Sequence, residues 1–222
     1  MNNQKTYPSH VARELPVFPL PGTVIFPGVV IPLHVQETRY RDMIKDVLEV
    51  DGLLSAVMIK PGQEHSRHPE LCDVGCLGKL IHAERLPSGR YNILLEGTDR
   101  CRLLQEVHKR SSYRSFHIAA IEAPSHDAIL EARSEMASFQ SCVVNLQACV
   151  ETHDEQLAAM LRSTADPLRL ADILGAVLVN DHLRQQELLA TTSLKQRLLQ
   201  LIDVIAEAMI KFGHPPVYSR TN

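Results

Sequence analysis

The sequence predicts an α+β protein, with a β-rich N-terminal part containing one helix and a C-terminal α-helical bundle. Three observations predict it. The stretch Leu15 to Val35, LPVFPLPGTVIFPGVVIPLHV, is as apolar as a buried strand pair. Short alternating segments punctuated by turn residues continue from there to about Ala123. At Ala123-Pro124-Ser125 the apolar period then becomes helical and stays so to Phe212, with no low-complexity linker. The expected divisions are 1–14 as a flexible N-terminal tail, 15–123 as the β-rich domain, 124–214 as the helical bundle and 215–222 as a C-terminal tail.

The opening stretch contains Pro16, Pro19, Pro21, Pro27 and Pro32, and no proline donates to a sheet ladder. It therefore reads as two short β segments, roughly Val17 to Leu20 and Val29 to Val35, with each proline at an edge, bulge or turn. Glu37 to Val50 places Tyr40, Met43, Ile44, Val47 and Leu48 at helical spacing, closed by Asp51-Gly52. Leu53 to Ile59 reads as a strand and Pro61 to Glu70 as an exposed loop. Leu71 to Leu86 and Arg90 to Glu96 form a hairpin about Pro87-Ser88-Gly89, and Cys101 to Val107 with Tyr113 to Ile121 form a second. Beyond Pro124, Ile129, Met136, Phe139, Val143, Leu146 and Val150 make one helical stripe, and a further helix spans about Asp154 to Leu161. Asp166-Pro167 supplies an N-cap and a first-turn proline for a helix carrying Leu170, Ile173, Leu174, Val177 and Leu178. Ser193 and Gln196 form a capping box ahead of Leu198, Leu201, Ile202, Ile205 and Met209, and Gly213 with Pro215-Pro216 ends that helix.

At 222 residues and 45% apolar content the chain can bury a real core. No run of ~18 apolar residues occurs and the start MNNQKTYPSH lacks an apolar signal core, so a cytoplasmic protein with no membrane partner is expected. Five cysteines without framework spacing fit reduced thiols. A net charge of −3, no Trp and 5% aromatics argue against nucleic acid as a partner.

His65, His68, Cys72 and Cys76 are the residue types of a zinc site, but their spacing fits no common finger or ribbon, and no metal is assigned. Cys142 and Cys149 lie seven apart on one helix face, as small hydrophobes do. Cys149 and His153 meet at i,i+4, with nothing to orient the imidazole as a thiol nucleophile requires. The sequence has no G-x-x-x-x-G-K-[ST] loop and no G-x-S-x-G elbow, so no catalytic residue and no cofactor are assigned. Ser193 and Lys195 belong to a helix cap.

The pattern L-P-V-x-P-L followed by P-x-x-x-I-P-L-x-V is met by Leu15, Pro16, Val17, Pro19 and Leu20, then Pro27, Ile31, Pro32, Leu33 and Val35. Asp73-Val74-Gly75, Leu86 to Arg90, Leu95-Glu96-Gly97-Thr98-Asp99-Arg100 and Asp166 to Asp172 extend it. The chain thereby resembles the N-terminal, substrate-binding domain of Lon protease from about Leu15 to near Phe212. The resemblance implies a PUA-like pseudo-barrel ahead of the bundle, with Pro16, Pro19, Leu20, Pro27, Pro32, Leu33, Gly75, Gly97 and Arg100 as structural signature positions. Arg100 is expected to hydrogen-bond inside the barrel.

The chain ends where the Lon ATPase would begin and lacks the Ser/Lys protease region, so a stand-alone, non-enzymatic member is expected. The function implied is recognition of unfolded polypeptide or of a protease partner, as an adaptor or regulator of proteolysis. The alternatives are a small-molecule or metal-responsive sensor, or an RNA-binding PUA-like module. Recognition needs exposed apolar surface, and the proline-rich edge offers Phe18, Ile25 and Phe26 as contact residues, or equally as plugs of the barrel ends. The oligomeric state is left open.

Overall fold

A computed structural model describes residues 13–108, 110–150 and 154–211. The chain forms two compact units that join at Ala123–Pro124. The first holds β1 (Arg13–Leu20), β2 (Val30–Val35), α1 (Thr38–Val50), β3 (Leu53–Met58), β4 (Val74–Arg85), β5 (Tyr91–Val107) and β6 (Ser115–Ala120). The strand order is β2-β5-β4-β3-β1-β6, and β6 also pairs with β5. The pairing of β5, β4, β3, β1 and β6 thus returns on itself, with β2 added outside that circuit along the first half of β5.

The divided pairing of β1 explains how it holds two prolines. Residues Arg13–Pro16 run antiparallel to β6, with Pro16 opposite Ser115. Residues Val17–Leu20 run parallel to β3, with Pro19 opposite Val57. Each proline therefore has one strand partner and one flank outside these ladders, where its missing N–H costs no ladder bond. The strand begins at Arg13, ahead of the expected Val17, so Arg13 and Glu14 belong to the sheet and not to the tail.

β5 departs from the expected pair of separate strands. It runs unbroken for 17 residues through Gly97-Thr98-Asp99, pairing with β2 along its first half, β6 along its second and β4 beside both. Irregularities at Leu77/Gly78, Leu80/His82 and Leu103/Gln105 supply the bend that a turn was expected to make.

Two apolar clusters fill this unit. One gathers Phe18, Leu20, Ile25, Leu54, Ile93 and Leu95 under Tyr40, Met43, Ile44 and Val47 of α1. The other gathers Leu15, Val17, Val57, Ile59, Cys101, Phe116 and Ile118. Period-two alternation sends Leu15 and Val17 to one cluster and Phe18 and Leu20 to the other, so β1 is buried on both sides. Leu48, expected on the buried stripe of α1, is exposed instead.

The second unit is helical: α2 (His126–Glu131), α3 (Arg133–Val150), α4 (Glu155–Ser163), α5 (Pro167–Leu178), α6 (His182–Ala190) and α7 (Leu194–Lys211). Ser125, Asp154, Asp166 and Asp181 each accept a hydrogen bond from a first-turn backbone N–H, at 2.8 to 3.2 Å. The Gln196 N–H reaches Ser193 Oγ at 3.4 Å at the start of α7. α3 and α5 pack on α7, burying Phe139, Leu146, Leu174, Leu198 and Leu201. Ala132 divides the predicted long helix in two, and Ile129 on the short first piece is exposed, as is Val177 on α5. Phe212, Gly213, Pro215 and Pro216 lie outside the described residues, as does His153.

Candidate functional site

Phe18, Ile25 and Phe26 are 7%, 2% and 0% exposed, so of the two roles the sequence left equally open, contact residue or plug, their burial is that of a plug. The cause is Gly97. Its N–H donates to the Val29 carbonyl and its carbonyl accepts from the Gly28 N–H, both at 2.8 Å, so the loop from Pro21 to Val29 is fastened onto β5. A Cβ on Gly97 would run into the Phe26 carbonyl oxygen and lie 3.0 Å from both Cys76 Sγ and Ile25 Cγ2. Glycine there lets Ile25 and Phe26 reach the core, and Gly28, at φ 79°, turns the chain back toward β2. Gly75 has the same role beside β3, since a Cβ would stand 2.6 Å from the Ala56 carbonyl oxygen. Arg100 lies opposite Cys76 and is buried.

The apolar surface lies elsewhere, on the solvent side of β2, β5 and β4. The register sets Val30 opposite Glu96, Pro32 opposite Leu94 and His34 opposite Asn92, with His82 on the far side of Leu94. Val30 is 43% exposed, and Ile81, the extra residue at the Leu80/His82 irregularity, is 49% exposed. Pro32, His34, His82 and Leu94 border an open depression of about 350 Å³. Its polar rim is ordered: His34 Nδ1 lies 2.7 Å from Asn92 Oδ1, and Asn92 Nδ2 donates to Glu84 Oε2 at 3.5 Å. Two or three apolar side chains at one edge of a sheet are a surface that other apolar side chains can cover. Reading it required the β2–β5 register, which no single segment of sequence carries.

A second, polar cleft of about 270 Å³ opens over Tyr40, between the loop at Arg67–Pro69 and the segment Ser111–Arg114. Arg114 donates through Nε and Nη2 to both oxygens of Glu106, each at 2.7 Å, and through Nη1 to the Pro69 carbonyl at 2.7 Å. This fork holds the Glu106 carboxyl below its ordinary pKa. Arg39 stacks over the Tyr40 ring at 4.6 Å. Burial, then the bond it donates to Asp46, pushes the Tyr113 hydroxyl up to about 12. Among the described residues of this cleft, Ser111 Oγ donates to the Tyr113 carbonyl and Ser112 Oγ to Asp42 Oδ2, which is not the pairing with a base that activates a nucleophile.

His65 and His68 are exposed on the loop, whereas Cys76 is wholly buried on β4. Among the described residues no three His, Cys, Asp or Glu side chains gather as metal ligands would. Burial raises the Cys101 thiol to about 11, with Ser55 Oγ 3.2 Å from its sulfur. Ser193 caps α7 while Lys195 Nζ pairs with Glu135 Oε1 at 3.1 Å, so each is engaged apart from the other. Among the described residues no helix is long and apolar enough to cross a membrane.

Comparison with known proteins gives one family. Its profile, described as the ATP-dependent protease La (LON) substrate-binding domain, matches residues 14–207. Lon protease 2 of Herpetosiphon aurantiacus is 30% identical over 199 residues, covering 87% of this chain and 24% of that protein. Lon protease of Rhizobium meliloti is 26% identical over 197 residues, covering 87% and 24%. The chain thus spans about a quarter of the length of these relatives. Among solved structures, the N-terminal domain of the Mycobacterium avium complex Lon protease superposes with a TM-score of 0.69 at 19% identity, covering 88% of this chain and 99% of that one. The Lon N-terminal domain protein of Xanthomonas campestris superposes at 0.61 and 20% identity, covering 86% and 98%.

Proposed function

Since the chain belongs to the Lon substrate-binding domain family, we propose that it is a non-catalytic recognition module that binds unfolded polypeptide, as an adaptor or regulator of proteolysis. The observation that carries this reading is the apolar group on the outer side of β2, β5 and β4, where Val30, Pro32 and Ile81 are exposed and Leu94 is half-buried. An unfolded segment differs from a folded one by its uncovered apolar side chains, and this surface offers them a place to shed water. On this reading the closed pairing of β1 and β3–β6 is a PUA-like pseudo-barrel over residues 15–123, and the helices of 124–214 are a bundle that adds no chemistry. Phe18, Ile25 and Phe26 support the surface from within and do not touch the client.

Substitution at Ile81 tests the surface because that side chain is half exposed and its loss leaves little cavity. Titration of the Ile81→Asp protein with reduced, carboxymethylated α-lactalbumin is expected to show affinity lowered about tenfold or more, with the melting temperature nearly unchanged. Undiminished binding by this variant would remove the outer face from the proposal. A second reading, a small-molecule sensor, draws on the polar cleft over Tyr40. It expects a thermal shift with small anionic metabolites that Arg67→Ala abolishes.

A further inference from the structure

The reading of the chain as a polypeptide-recognition module leaves open what holds the client's backbone, and β2 has the geometry to do so. Among the described residues β2 has a single strand neighbour, β5. Because the Gly97 N–H donates to the Val29 carbonyl, the antiparallel register turns the backbone groups of Ile31, Leu33 and Val35 toward β5. Val30, Pro32 and His34 therefore direct theirs away from the sheet. Pro32 falls on that side, where its lack of an N–H costs the β2–β5 ladder nothing.

The composition of β2 is wrong for a strand that ends a sheet. Edge strands are ordinarily guarded by lysine, by inward charge or by a covering element. VIPLHV has no Lys, Arg, Asp or Glu, and proline at 32 is its one guard. It is apolar on both sides: Val30 and Pro32 are exposed outside, while Ile31 and Leu33 are only partly covered where they meet the core cluster. Apolar residues on both faces mark a strand that is meant to be covered, and without a charge along it β2 lacks the guard that an open edge ordinarily carries.

We propose that β2 receives an extended segment of unfolded polypeptide as an added antiparallel strand. Only an extended backbone presents donors and acceptors at the spacing of those left open at Val30, Pro32 and His34. Antiparallel pairing is the more stable choice. In that register the client residues bonded to β2 place their side chains on the outer side, and the intervening residues place theirs beside Ile31 and Leu33. The client is thus selected for apolar residues at every second position. A second copy of the chain fits less well. Antiparallel self-pairing centred on Pro32 sets two prolines face to face and loses both central bonds, whereas a client without proline loses one.

The experiment uses a labelled peptide of alternating valine and serine, read by fluorescence anisotropy with the full chain. Valines seated beside Ile31 and Leu33 turn the serine amides toward β2. N-methylation of the serine amides is expected to weaken binding about tenfold or more, and N-methylation of the valine amides to change it less than about threefold. The two peptides carry the same number of methyl groups, so their difference reports which edge is bonded, and no variant of the protein has to fold. Equal effects of the two methylations would overturn the antiparallel addition, and the reverse order would overturn the seating of the apolar client residues beside Ile31 and Leu33, placing them instead on the outer side beside Val30 and Pro32. If these peptides behave alike while carboxymethylated α-lactalbumin still binds, β-addition fails and recognition stands. If neither peptide nor that polypeptide binds, both fail. A dimer of the protein alone that His34→Pro dissociates would assign the edge to a second copy and overturn the proposal.

Discussion

Phe26 shows how a contact residue and a plug diverge once packing is known. The ring is fully buried, and the loop that carries it is held by the two backbone bonds to Gly97. Phe26→Ser is therefore expected to destabilise the protein by ~3–5 kcal/mol in urea titration, the cost of a large apolar side chain lost from a packed site. Proline and glycine made the loop legible in the sequence, but they did not say whether it lifts off the sheet or folds onto it. That outcome depends on the absent side chain of Gly97, some seventy residues on, a contact at long range. Arg114 tests the polar cleft. Its fork on Glu106 is mostly shielded, both side chains being about one-fifth exposed, and Arg114→Ala is expected to cost ~1–3 kcal/mol. The pH dependence has a definite sign. Glu106 is held below its ordinary value of 4.5 in the folded protein, so the pair's contribution is complete above about pH 4.5 and is lost as pH falls through the lower folded value. The stability gap between parent and Arg114→Ala should narrow in that acid range and stay constant from pH 6 upward.

At the scale of elements, the local signals of helices served best. Asp154, Asp166-Pro167 and Ser193 all stand at helix starts, because a cap is a contact across two or three residues and needs no tertiary partner. Asp166→Ala is expected to lower stability by ~1 kcal/mol, measured by thermal denaturation, through loss of the bond from the Leu168 N–H. α6 begins at the same kind of cap, Asp181, yet its short apolar stripe was not separable from its neighbours by period alone. The strands were legible in alternation but not in number, seven being expected where six form, because β5 was not legible as one element. Gly97-Thr98-Asp99 has the composition of a turn, and only the facing strands on either side keep it extended. The apolar outer face followed the same rule: Val30, Ile81 and Leu94 are far apart in sequence and come to neighbouring strands of one sheet through register.

At the scale of the whole molecule, the family and the α+β architecture were legible because the proline pattern of the first strands is specific and spans little sequence. The activity of the full relatives was not, since this chain matches about a quarter of their length. With no phosphate-cradling loop in the sequence, the purified protein is expected to show no ATP turnover and no degradation of casein; activity that survives rigorous purification and tracks the protein peak would refute this. The closed strand circuit also sets a timetable for the nascent chain. β1 pairs with β6, which emerges from the ribosome about a hundred residues later, so the circuit cannot close until Ala120 is out. Until then β1, apolar on both sides, waits without one of its two partners, and refolding from denaturant should be governed by the slow meeting of β1 with β6 more than by the fast formation of α1. A module proposed to shelter unfolded segments thus spends its own synthesis as one.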